Sequence, residues 1–165
     1  MAYLLDSNVY IQAHLSYYGM DLCPGFWQWL EKAHDLGIVI TLDKVRDELM
    51  KKDDQLSEWA KNSPDHFFTA LDDVIKPCLS EVAVWAVNQD FQQAAVADFL
   101  SKADYFLVAH AKAHGHKIVT WEKHKASKSK IKIPTVCEAL SMSKPLDTFE
   151  MLRNENVTFH WSQKE

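Results

Sequence analysis

The apolar run Tyr3-Leu4-Leu5 is cut off by Asp6, so residues 2–5 read as a short buried strand ending at that acid. Ser7 or Asn8, both good helix caps, opens a helix through Tyr18. Pro24 stands near the start of a second helix, which runs to about Leu36 and is closed by Gly37. The β-branched run Ile38-Val39-Ile40-Thr41-Leu42 predicts a second buried strand, after which Asp43 caps a helix through about Lys52. From Gln55 to Leu100 the pattern is largely helical, with a break or short extended piece at Phe67-Phe68. Ala103 to His114 reads as a helix closed by Gly115, and Lys117 to Trp121 as a third core strand. Ile131-Lys132-Ile133 alternates and predicts a fourth strand before Pro134. Short helices follow at about Thr135–Leu140 and Leu146–Asn154, with a further strand at Val157-Thr158-Phe159.

Strands alternating with helices predict an α/β fold: a mainly parallel sheet of four to five strands, covered by helices on both faces in three layers. At 165 residues the chain fits a single domain, with residues from about 141 onward an extension of it. With 47% apolar residues it can bury a core, and four glycines and five prolines exclude a loop-dominated chain. The longest apolar run, Val82 to Val87, is far short of the ~20 residues that span a membrane. No basic stretch followed by an apolar one opens the sequence, so the expected location is cytoplasmic. Cys23, Cys78 and Cys137 are odd in number, form no Cys-x-x-Cys pair and read as small buried hydrophobes.

The net charge of −5 hides an asymmetry. Residues 1–115 carry 9 Lys or Arg against 17 Asp or Glu, whereas residues 117–132 carry six lysines and one acid, Glu122. An acidic body with one basic loop can engage a polyanion locally, although a solvated loop accounts for the same charges.

In parallel sheets, ligands bind beyond the carboxyl ends of the strands, and four acids are expected there. Asp6 follows the first strand and Glu122 the third. Glu48 shares a helix face with Val45 and Leu49, which should pack on the sheet. Asp104 continues the stripe of Leu107, Val108 and Ala111. Each acid has an ordinary alternative: a turn residue for Asp6, a surface pair with Lys52 for Glu48, a helix-dipole partner for Asp104, a solvated strand-end charge for Glu122. Together they would repel one another unless cations neutralised them, and hard oxygen donors select Mg2+ or Mn2+. Metal-assisted hydrolysis of a phosphodiester suits such a cluster.

These residues resemble the motifs of PIN domains. Tyr3-Leu4-Leu5-Asp6-Ser7-Asn8-Val9 is similar to the family's opening strand with its acid, and Val45-Arg46-Asp47-Glu48-Leu49 resembles the segment that carries its glutamate. Ala103 to Ala111 resembles its third motif, an Asp opening a helix of small and apolar residues, and Ile118-Val119-Thr120-Trp121-Glu122 resembles its last, Thr-x-Asp after a strand. The likeness covers roughly residues 1–140. It implies a Rossmann-like sheet and a Mg2+- or Mn2+-dependent ribonuclease. It also implies the toxin of a toxin–antitoxin pair, with RNA as substrate, a small antitoxin as partner, and a homodimer. The fourth acid is Glu122 where the family usually has Asp, and Lys123, His124 and Lys125 stand where a further acid often follows.

On this reading Asp6, Glu48, Asp104 and Glu122 hold the metal and carry the catalysis. Asn8 bonds Asp6 or the phosphate, with a plain helix cap as its alternative. Lys123, Lys125, Lys128 and Lys130 contact phosphates, with Arg46 and Lys52 adding to them. His110 and His114 are read as an exposed polar face, with His116 beyond them. Five of the six tryptophans, Trp27, Trp29, Trp59, Trp85 and Trp161, are read as core. Trp121, beside Glu122, is a candidate for stacking on an unpaired base. The rival reading is a non-catalytic PIN-like module that binds RNA or a protein. An aspartyl-phosphate phosphatase is disfavoured because Asn8 stands where its second Asp should be, and a flap nuclease because the chain lacks the length for the arch.

Overall fold

Leu4, Leu5, Val39, Leu42 and Val119 are 2% exposed or less, and they lie on three short strands that need no length because both faces are covered. The computed structural model describes residues 1–160, so Trp161 lies outside the described residues. Tyr3–Leu5 (β1), Val39–Leu42 (β2), Phe68–Thr69 (β3) and Lys117–Val119 (β4) form a sheet in the order β3-β2-β1-β4, all parallel. Tyr3 pairs with both Val39 and Lys117, which makes β1, like β2, an interior strand.

The connections are helical. Ser7–Gln12 (α1), continued by a π turn over Ala13–Tyr17, and Pro24–Asp35 (α2) link β1 to β2. Asp43–Leu49 (α3) and Gln55–Asn62 (α4) lead to β3. Lys76–Asn88 (α5), Gln93–Ser101 (α6) and Ala103–His114 (α7) lead back to β4, and Ile133–Ala139 (α8) and Thr148–Asn154 (α9) follow. Gly37 and Gly115, at φ 66° and 67°, close α2 and α7 in the left-handed conformation that favours glycine. With right-handed crossovers, α1–α4 cover one face and α5–α7 the other, giving α/β/α layers. The order in which strands are added reverses between β1 and β4, and that switch point lies beside Asp6.

Two predicted strands are not strands. At residues 131–133 the alternation is real, since Ile131 and Ile133 are 3% and 0% exposed, but Ile133 starts α8 with Pro134 in its first turn. A short extended approach buries alternate side chains without joining a ladder. At 157–159 the chain is irregular as well. Instead, Leu146 bridges to the edge strand: Thr120 N donates to Leu146 O at 2.9 Å and Leu146 N to Ile118 O at 3.0 Å. The last helix therefore begins later than predicted, at Thr148, capped by Asp147 with Glu150 reciprocating. Asp43 is likewise not the cap of α3. Leu42 occupies that position, and α3 stops at Leu49 rather than Lys52.

One polar network sits inside the core. Tyr10 OH and His34 Nε2 both meet the Thr41 hydroxyl, the latter at 2.9 Å, while His34 Nδ1 donates to Leu30 O at 2.8 Å. Donation through Nδ1 leaves Nε2 as an acceptor, and burial pushes the His34 pKa down, so the ring is neutral. Thr41→Val strips the shared partner from two buried groups. It lowers unfolding stability by about 1–3 kcal/mol, read by urea titration; a loss below about 0.5 kcal/mol would overturn this role.

Candidate active site

Asp6 occupies the N-cap position of α1 but does not cap it with its side chain. The carboxylate, 3% exposed, turns to β4: Oδ2 accepts from Thr120 Oγ1 at 2.7 Å and from Asn8 Nδ2 at 2.5 Å. Asn8 also donates to Thr120 Oγ1 at 2.9 Å and accepts from Trp121 N at 3.0 Å. Asn8 and Thr120 thus lock the carboxylate across the gap between β1 and β4. The turn-or-cap account of Asp6 does not describe these contacts.

The other acids come from separate elements. Glu48 on α3 accepts from Ala103 N at 3.2 Å, which ties it to the start of α7 rather than to Lys52. Asp104 lies in the first turn of α7. The Glu122 side chain is 11% exposed, and its Oε2 accepts from Ile133 N at 2.9 Å. Lys130 and Lys132 face its Oε1 at 3.6 and 3.9 Å. Asp6, Glu48, Asp104 and Glu122 line one open cleft of about 330 Å³, together with Asn8, Lys51, Lys102 and Lys130.

The electrostatics follow from the crowding. Burial, above all, raises Asp6 from the ordinary carboxyl range to about 6, helped by Glu122 and Glu48 and opposed by the Thr120 hydrogen bond. Burial and then the charges of Asp6, Glu122 and Glu48 raise Asp104 to about 7, with Lys102 opposing. Such acids are stabilised by a cation, and an all-carboxylate donor set suits a hard divalent one. No three Asp, Glu, His or Cys side chains among the described residues stand gathered for metal as they are. Two of the four acids are held instead by backbone N–H groups.

A family model described as Domain of unknown function (DUF4411) matches residues 3–159. The chain belongs to the DUF4411 family. No curated protein and no solved structure matches it. The DUF4411 match spans β1 to Phe159 and so includes all four acids.

The basic residues of this DUF4411 chain divide. Lys130 reaches the cleft, and Lys123 lines an adjoining cavity near Asp147 at 3.8 Å. Lys128 pairs with Asp90, and Lys125 is exposed. Arg46 is held away from the cleft by Asp65 at 3.2 Å and Ala60 O at 3.3 Å, over the Phe68 ring. Lys52 lines a separate hollow beside Glu48. Sequence reading missed Lys51 and Lys102, although Lys51 stands three residues after Glu48 and Lys102 two before Asp104. One ring face of Trp121 stacks on Tyr17, with centroids 5.1 Å apart, and Phe149 meets the ring edge-on.

The histidines are not an exposed face. His110 is 3% exposed, and its ring lies 4.4 Å from His114 and 5.5 Å from His116. They sit at the amino ends of the strands, where Ala2 N donates to His116 Nδ1 at 3.2 Å, at the opposite end of the sheet from the acids. Burial, then the neighbouring rings, lowers His110 to about 4, which leaves it neutral. No helix of the described residues is long and apolar enough to cross a membrane.

Proposed function

We propose that this chain is a PIN-type endoribonuclease that hydrolyses RNA phosphodiester bonds with Mg2+ or Mn2+. The observation that carries the reading is that four acids from four separate stretches line one cleft at the switch point of a parallel sheet. Asp6, Glu48 and Asp104 would hold the cation, with Glu122 as a fourth. When bound, such a cation supplies an acidified water and neutralises charge on the attacked phosphate. Asn8 and Thr120 fix the Asp6 carboxylate, and Glu48 anchors the start of α7, which carries Asp104. Lys51 and Lys130 offer cations to the flanking phosphates, while Lys102, at the same cleft, is paired with Asp98 at 2.6 Å. The toxin role, the antitoxin partner and the homodimer belong to the same proposal and rest on the motif resemblance.

The engagement of both Glu122 oxygens favours a second reading, a non-catalytic module that binds RNA or protein. Incubation of the purified protein with mixed bacterial RNA separates the two. Cleavage in Mn2+ or Mg2+ that stops in EDTA is the expected result. RNA left intact under all three conditions would replace the nuclease with the binding module.

A further inference from the structure

A second cavity, of about 680 Å³, adjoins the carboxylate cleft and shares Glu122 with it. Its size falls within the range of small-molecule sites. Pro134, Met142 and Pro145 give it an apolar lining against which a planar ring can pack. Four acids line it, Glu122, Asp147, Glu138 on α8 and Glu150 on α9, against Lys123, Lys144 and His124, an excess of acceptors that disfavours a phosphate deep inside. The cations Lys123 and Lys144 border the same cavity and can meet the backbone of a strand whose base enters it.

Resting on the ribonuclease reading, we infer that this cavity takes the base of the nucleotide beside the attacked phosphate, and that it prefers guanine over uracil. Guanine presents two adjacent donors, N1–H and N2–H, which one carboxylate can accept in parallel. Uracil presents a single N–H between two carbonyl oxygens, and those oxygens are repelled by the same carboxylate. Glu138 is the acceptor. It is exposed, and its described partner is the His124 ring, with Nδ1 3.2 Å from Oε2. Glu150 is the weaker candidate, because it accepts from Asp147 N in the helix cap.

Titration of guanosine 5′-monophosphate and uridine 5′-monophosphate, followed by NMR in EDTA, tests this without any cleavage. Wild type binds the guanine nucleotide about tenfold more tightly, and Glu138→Gln reduces that preference severalfold or more. Met142→Trp, which fills the cavity, weakens both ligands. Unchanged melting temperatures in the variants exclude loss of fold. Equal binding of the two nucleotides by wild type, or guanine binding indifferent to both substitutions, would overturn the inference. Guanine-selective binding in a protein that leaves RNA intact in Mn2+ supports the cavity and removes the nuclease reading. Cleavage without guanine bias, together with no guanine binding, removes the cavity's role and leaves the nuclease.

Discussion

Asp6→Asn lowers metal-dependent RNA cleavage by roughly 100-fold or more while the protein stays folded. The substitution is nearly isosteric. The Asn side-chain oxygen can still accept from Thr120 and from Asn8, and its NH2 group replaces Asp6 Oδ1, which faces the Ser7 hydroxyl at 3.4 Å. What disappears is the negative charge at the carboxyl end of an interior strand, the anchor a hard cation requires. Cleavage by wild type should also weaken as pH falls from about 7 to about 6, because Asp104 and then Asp6 take up protons and compete with the cation. If expression of wild type arrests growth, the same substitution relieves the arrest. Equal RNA cleavage by the two proteins in Mn2+ would sink the role given to Asp6.

The candidate site was legible in the sequence where position alone decides it. An acid joined directly to a buried apolar run must stand at the end of a strand, as Asp6 does, and Glu122 two residues beyond Thr120 follows β4 closely. Helical phase brought Glu48 and Asp104 to the same cleft, because Val45, Leu49, Leu107 and Val108 are buried on the faces predicted for them. What a local pattern does not hold was lost. Whether Ile131-Lys132-Ile133 joins a ladder depends on which backbone lies beside β4, and that neighbour is Leu146. The histidine cluster eluded a helical-face reading because His110 is covered by other elements. Arg46 and Lys128 were placed by charge alone, and Asp65 and Asp90, distant in sequence, draw them elsewhere.

Glu122 shows how the basic loop and the acidic cluster form one device. The carboxylate closes the backbone at the start of α8 through Ile133 N and draws Lys130 and Lys132 toward the cleft. One methylene more than Asp lets a side chain rooted after β4 span to α8. The charge asymmetry of the sequence becomes local only in part: of the loop lysines, Lys130 and Lys132 stand beside Glu122.

Asp104→Asn makes the protein more stable at pH 8, by about 2–4 kcal/mol, and the gain vanishes toward pH 4. The sign follows from linkage. The Asp104 carboxyl titrates at about 7 in the folded chain and at 3.8 when unexposed to its neighbours, so between those values the folded state holds a proton that the unfolded state has released. Its contribution to stability therefore falls as pH rises through that window, and the cost is complete above about 7. Asn carries no charge and escapes the cost, whereas near pH 4 it differs little from the protonated acid. In EDTA the difference corresponds to roughly 5–10 °C in melting temperature for a chain of this size. Mn2+ should raise the melting temperature of wild type more than that of the variant, because the cation relieves the same repulsion the substitution removes. A variant less stable than wild type at pH 8, or a difference that does not change with pH, would mean that the buried charge is compensated within the protein and that the cleft stores no demand for a cation.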